Sequence, residues 1–155
     1  MKLLFCLAAF VAATASVSSA QGGQAEIRNC EFKVKARCAS GDASVTLTDG
    51  TVTRLEVNVF WCGRPGQPGY RCEIDSTRGE DDATWSQDAG ATVIANASPF
   101  NPDAPDRVKV TVGQHVSIDF AEAQSAGRCG AGAELPRAIV ITPGKKACRV
   151  WLGEP

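Results

Sequence analysis

Three sets of side chains have types that could do chemistry, and spacing decides what each can do. His115, Ser117 and Asp119 stand at alternate positions, so on a strand they share one face. Acyl transfer needs the histidine between serine and acid, bonded to both. Here the serine is in the middle, and same-face neighbours on a strand lie about 6.6 Å apart. The trio therefore reads as the wet face of a strand. Glu80, Asp81 and Asp82 precede Trp85. Two carboxylates at a suitable separation suffice for glycoside hydrolysis, so this stretch carries the alternative reading of a small secreted carboxylate-dependent hydrolase. Its oxygen ligands match no calcium-loop spacing, and acidic runs in loops are usually solvated surface.

The third set is Trp61–Cys72, WCGRPGQPGYRC. Pro65-Gly66 and Pro68-Gly69 are turn formers. What turning the chain leaves over is Arg64, Tyr70 and Arg71, of the residue types that dominate interface hot spots. These three are the expected binding residues. No catalytic residue, metal ligand set or cofactor is expected.

The cysteines constrain the scaffold. Cys6 lies in an amino-terminal leader, leaving Cys30, Cys38, Cys62, Cys72, Cys129 and Cys148. An even number in an exported chain reads as three disulfides. A zinc site is disfavoured, because no Cys-x-x-Cys pair is present and there is one histidine. Cys62 and Cys72 flank the turn-rich loop, and we expect them to pair across it. The other four are expected to link Cys30 to Cys148 and Cys38 to Cys129, with the crossed arrangement nearly equivalent.

The leader sets the compartment. Lys2, the apolar run Leu3–Ala13 and the small residues Ser18-Ser19-Ala20 form the pattern of a secretory signal peptide cut after Ala20. The expected organisation is a signal peptide over 1–20 and one domain over 21–155, secreted, or periplasmic in a Gram-negative host. The apolar run is too short to span a membrane, which needs about 20 residues. Without Lys2 the chain has 15 Lys and Arg against 17 Asp and Glu. That balance gives no global footprint for nucleic acid. Charge is unevenly spread, however: 73–88 is acidic, whereas Arg28, Lys33, Lys35 and Arg37 near the start and Lys145, Lys146 and Arg149 near the end are basic. Asn96-Ala97-Ser98 is a glycosylation acceptor in a host with that machinery.

The elements that position these residues are strands. Residues 30–38, CEFKVKARC, alternate apolar and charged as a half-buried strand. Fully extended, it would hold its two cysteines about 26 Å apart, against about 5.5 Å between bonded Cα atoms. Asp49-Gly50 signals a two-residue hairpin pairing Leu47 with Val52. Leu55, Val57, Val59 and Trp61 have the opposite parity to Val52, which predicts a bulge near Thr53–Arg54. Tyr70, Cys72 and Ile74 form the returning strand. Residues 76–91 lack a period and read as a long loop. A short strand follows at Thr92–Ala95. Arg107–Phe120 reads as one long strand bent at Gly113, Ala121–Ala126 as a helical turn, and 138–142 and 147–152 as strands joined at Pro143-Gly144. Seven or eight such strands predict an all-β antiparallel sandwich or barrel stapled by three disulfides.

Tyr70-Arg71-Cys72 resembles the Tyr-x-Cys pattern of immunoglobulin strands. Cys38 lies only 34 positions before Cys72, short for that family, and Trp61 adjoins a cysteine instead of lying midway between two. With Cys129-Gly130-Ala131-Gly132, the same tripeptide resembles secreted fungal allergen-type β-barrels over two short motifs. The residues point to a secreted or periplasmic binding module, an inhibitor, effector or surface-recognition protein, with an extracellular or periplasmic protein or glycan as partner.

Overall fold

Positive backbone angles decide where this chain turns. In the computed structural model, which describes residues 23–63, 65–96, 106–125, 128–129 and 133–153, Asp49 and Gly50 take φ of 52° and 75°. Both values match the type I′ turn that an Asp-Gly pair favours, because it follows the right-handed twist of the flanking strands. The turn joins β2 (Ala39–Thr48) to β3 (Thr51–Trp61) with Leu47 opposite Val52. The register slips one residue between Leu47↔Val52 and Thr46↔Arg54, leaving Thr53 as the expected bulge. Its carbonyl, freed from the ladder, accepts the Arg78 amide at 2.9 Å. The bulge lets Val52 and the Leu55–Val57–Val59 series face the same core.

The first strand differs from its sequence pattern. β1 runs from Ala25 to Val34 and is followed by a 3₁₀ turn at Lys35–Arg37, with Cys38 left-handed at φ 46°. Alternation extends across the turn by coincidence, since Ala36 and Cys38 stand on the solvent side. β1, β2, β3 and β4 (Tyr70–Thr77) make one antiparallel sheet in chain order.

The second sheet also follows chain order, from β5 (Thr84–Asp88) through β6 (Ala91–Ala95), β7 (Arg107–Val112), β8 (Val116–Glu122) and β9 (Ala138–Ile141) to β10 (Arg149–Trp151). The total is ten strands, against the seven or eight expected. One extra is β5, inside the segment read as a loop. It turns into β6 through Ala89 and Gly90, at φ 46° and 84°. Alanine rarely takes that conformation, so the turn leaves no sequence signal. The other comes from 107–120, which is a hairpin over Gly113–His115, pairing Val112 with Val116 and Val110 with Ile118. This register joins even positions to even positions, so one apolar face continues through both arms exactly as it would along a straight strand. Ala121 and Glu122 extend β8, and no helical turn forms across 121–125.

Inward side chains of both sheets belong to one buried cluster, with Val45, Leu55, Val57 and Val59 facing in from the first sheet and Val110, Val116, Ile118 and Ile139 from the second, all fully buried. Among the described residues no helix is long and apolar enough to cross a membrane.

Three disulfides staple this frame. Cys30 bonds Cys148, as expected, but Cys38 bonds Cys62 and Cys72 bonds Cys129. Strand register overturns both the expected Cys62–Cys72 and the expected Cys38–Cys129 bonds. Trp61 pairs with Tyr70 and Val59 with Cys72, so Cys62 sits three positions beyond Cys72 along the pair, about 10 Å away. Cys72 also faces the core whereas Cys62 is exposed. Continuing from Ala39↔Trp61 on the other side, Cys38 and Cys62 are direct neighbours, and the Cys62 amide donates to the Cys38 carbonyl at 2.9 Å. Three disulfides are what an extracellular or otherwise oxidising compartment favours.

A buried ion pair fastens the connection after β8. Asp106, 5% exposed, accepts Arg128 Nη2 at 2.7 Å and the Gln124 amide at 2.9 Å. The Glu73 amide in turn donates to the Arg128 carbonyl beside the Cys72–Cys129 bond.

Two outcomes follow from this packing. Leu55→Ala, at a position with no solvent exposure, should lower stability by about 2–5 kcal/mol, read from the denaturant midpoint with disulfides intact. Under limiting dithiol, Cys38–Cys62 should be reduced first, because both of its residues are exposed whereas Cys30 and Cys72 are buried. Alkylation and peptide mapping read the order. Simultaneous labelling of all six cysteines would contradict it.

Candidate functional site

The Trp61–Cys72 stretch does not present Tyr70 and Arg71 together. Tyr70 and Arg71 are consecutive on β4 and so point to opposite faces. Tyr70 is half-buried and packs against the core, whereas Arg71 is exposed on the outer face of the first sheet. Arg64 lies outside the described residues. The glycines have a clear structural use: a Cβ at Gly69 would collide with the Phe60 ring and the Trp61 carbonyl. Trp61 turns inward and donates Nε1–H to the Glu134 carbonyl at 2.9 Å.

The outer face of the first sheet is a grid set by register. One row crosses the strands as Lys33, Ser40, Phe60 and Arg71, and the next as Glu31, Asp42, Asn58 and Glu73. Phe60 is 48% exposed, one of three large apolar side chains so placed among the described residues, with Ile27 and Trp151. Its neighbours are ordered by lateral hydrogen bonds. Arg71 Nη2 donates to Asn58 Oδ1 at 2.6 Å, and Asn58 Nδ2 donates to Asp42 Oδ2 at 3.1 Å. Arg71 also lies 3.5 Å from the Glu73 carboxylate. Planar polar groups are thereby fixed beside an exposed ring.

Above this corner lies an open trough of about 950 Å³, lined by Lys33, Ser40, Asn58, Phe60, Arg71 and Lys146 among others. Lys146 comes from the segment before β10, held against β1 by the Cys30–Cys148 bond and by hydrogen bonds between Glu31 and residues 146 and 148. Gly41 lies in the trough wall, where a Cβ would strike the Asn58 carbonyl and the Phe32 ring. The cations are not equivalent. Arg54, elsewhere on the face, is hydrogen-bonded to Asp75 and paired with Glu56, and the Asp75 bond raises its pKa above the ordinary arginine value. Lys33 and Lys146 have no ion pair among the described residues.

Of the two expected residues that are described, Arg71 reaches this trough and Tyr70 does not. Phe60 was missed although a signal existed: it is an aromatic residue in phase with Arg54, Glu56 and Asn58, on the polar side of its strand. Lys146 carried no comparable signal, because its proximity to Lys33 depends on a contact between chain ends.

The acidic stretch is built as a turn. Asp81 accepts the Thr77 amide through Oδ2 at 3.0 Å and the Ala83 amide through Oδ1 at 3.2 Å, so both oxygens are committed to backbone. Glu80 and Asp82 are exposed. Trp85 packs on the core and carries Arg78 over its ring at 5.4 Å. His115 sits in the β7–β8 turn, with Ser117 and Asp119 beyond it on β8. Asn96 follows β6 and donates its amide to the Asp106 carbonyl at 3.0 Å, while the rest of its acceptor sequence lies outside the described residues. Among the described residues no group of three or more His, Cys, Asp or Glu is placed to hold a metal ion.

Asp81→Ala should cost about 1 kcal/mol, as loss of a capping carboxylate does, whereas Glu80→Ala and Asp82→Ala should each stay within about 0.5 kcal/mol of the parent. Equilibrium unfolding measures all three. Equal losses would reject the turn-staple role.

No family model matches the chain, and neither a curated protein nor a solved structure shows significant similarity to it.

Proposed function

We propose that this protein is a secreted or periplasmic binding module, with a sandwich-type scaffold that presents a rigid recognition corner and performs no covalent chemistry. The single observation that carries the reading is the exposed Phe60 ring set in a trough beside hydrogen-bonded Arg71 and Asn58. Groups held in place by neighbours lose little freedom on binding, which is the usual source of affinity at a preformed site. Strands, not loops, supply Phe60, Arg71, Lys33 and Ser40, so their spacing is fixed by ladder register.

The leader read at residues 1–20 supports export, and the disulfides agree with an oxidising destination. The partner class that suits the corner is an extracellular or periplasmic protein or glycan. For the hydrolase alternative no observation speaks, since Asp81 is committed to two backbone amides.

The test is an NMR titration of the oxidised, isotope-labelled protein with neutral and acidic oligosaccharides. Amide shifts should concentrate at Lys33, Ser40, Phe60 and Arg71, should be lost in Phe60→Ala, and should leave the ligand unchanged. Shifts clustered at Glu80–Trp85 with cleavage of the sugar would establish the hydrolase instead.

A further inference from the structure

Two basic segments far apart in sequence lie side by side. Glu31 bridges Ala147 in parallel, and Arg37 Nη2 donates to the Gly153 carbonyl at 3.5 Å. The two contacts bring the backbone around Glu31 against 146–148 and the 3₁₀ turn at Lys35–Arg37 against Gly153. Cys30–Cys148 locks the pairing at its start. This seam gathers Lys33, Lys35 and Arg37 from one segment with Lys145, Lys146 and Arg149 from the other. None of the six is in an ion pair with another described residue. Trp151, 48% exposed, stands at the same edge with Arg149 5.8 Å from its ring centre. The acids of 73–88 lie on β4, β5 and the turn between them, at the opposite edges of the two sheets. Six of the chain's 16 Lys and Arg therefore lie on the side opposite the acids of 73–88.

We propose that this seam and the trough it borders bind an anionic polysaccharide, one bearing carboxylate or sulfate groups along its length. The inference rests on the binding-module reading and names its ligand class. Charge complementarity selects an extended anion, because unpaired cations are distributed along two adjacent segments and not focused on one point. The exposed rings, Phe60 in the trough and Trp151 at the edge, offer apolar faces to sugar C–H groups, while Ser40 offers its hydroxyl to sugar hydroxyls. A protein partner is less well matched, since the apolar area is two separate rings and not the contiguous core of a protein interface. Nucleic acid is disfavoured by its charge density, about one phosphate per 1.7 Å of duplex axis, because Glu31 and Asp42 line the trough beside Lys33 and Lys146 and a sparser polyanion can keep its charges clear of them.

Titration calorimetry of the oxidised protein tests this with a polyuronate, a sulfated glycosaminoglycan, a neutral oligosaccharide of equal length and duplex DNA. Binding to at least one acidic glycan is expected, and which one separates carboxylate from sulfate recognition. Its Kd should rise about tenfold or more between about 50 and 300 mM salt, as screening shortens the reach of exposed charges. Lys33→Gln combined with Lys146→Gln should weaken it about tenfold. Lys109→Gln removes the same kind of charge far from the seam, where Glu122 holds it at 2.8 Å, and should change Kd less than about twofold. Unchanged melting temperatures keep loss of fold from mimicking loss of contact. Equal, salt-independent binding of the neutral sugar, abolished by Phe60→Ala, overturns the anionic inference and leaves the binding-module reading standing. Duplex DNA binding as tightly as the acidic glycan, or an inert Lys33→Gln/Lys146→Gln double variant, also overturns it. Failure of every glycan to bind overturns it together with the glycan branch of that reading.

Discussion

The tie between the first strand and the last segment is the constraint on which the arrangement depends. Each sheet is a meander whose strands pair only with chain neighbours. A meander leaves two open edges, and an open edge is a liability because its backbone groups can pair elsewhere. At the β1 and β10 side the chain meets this with covalent and hydrogen bonding together: Cys30–Cys148, the Glu31 amide to the Lys146 carbonyl, and the Cys148 amide to the Glu31 carbonyl. With its cysteines 118 positions apart in sequence, this bond removes more denatured-state entropy than the other two, about 4–5 kcal/mol in the chain-entropy model. At the β4 side the Cys72–Cys129 bond and the Asp106–Arg128 pair serve the same end.

Local signals were legible in the sequence wherever one physical cause acts on a few neighbouring residues. Asp-Gly gave the first hairpin, and the parity clash between Val52 and Leu55 located the bulge at Thr53, because a slip of one residue reverses every side chain beyond it. Parity fails where a hairpin preserves it. Val112↔Val116 keeps even residues on one face, so the alternation from 107 to 120 is the same for a straight strand and a folded one. It fails again at Ala36 and Cys38, where a 3₁₀ turn happens to extend the pattern of β1. The β5–β6 turn was invisible for another reason, since it needs a left-handed alanine that the surrounding ladder imposes.

The disulfide errors show how register outranks loop length. Closing WCGRPGQPGYRC end to end assumes that the strands leaving it meet at their cysteines. The β3–β4 ladder instead pairs Trp61 with Tyr70, which staggers the cysteines and turns Cys72 inward. Cys62 can then reach only the strand on its other side, where Cys38 waits at the end of the β1–β2 turn. The same stagger splits Tyr70 from Arg71, setting Tyr70 half-buried against the core and Arg71 on the outer face. A site composed from adjacent residues on a strand is divided by the pleat, whereas one composed across strands, such as Lys33, Ser40, Phe60 and Arg71, shares a face by construction.

Charge follows the same logic at longer range. In sequence the basic residues near the two ends look like separate clusters, each too small to matter. Because both sheets run in chain order, β1 and β10 occupy adjoining edges and β4 and β5 occupy the opposite ones. Basic ends must therefore meet, and the acidic middle must lie across from them, whatever the individual side chains do. Like charges brought together along a seam repel and lower stability unless something relieves them. The Cys30–Cys148 bond holds the seam closed against that repulsion. An extended anion lying along the same seam would relieve that repulsion directly.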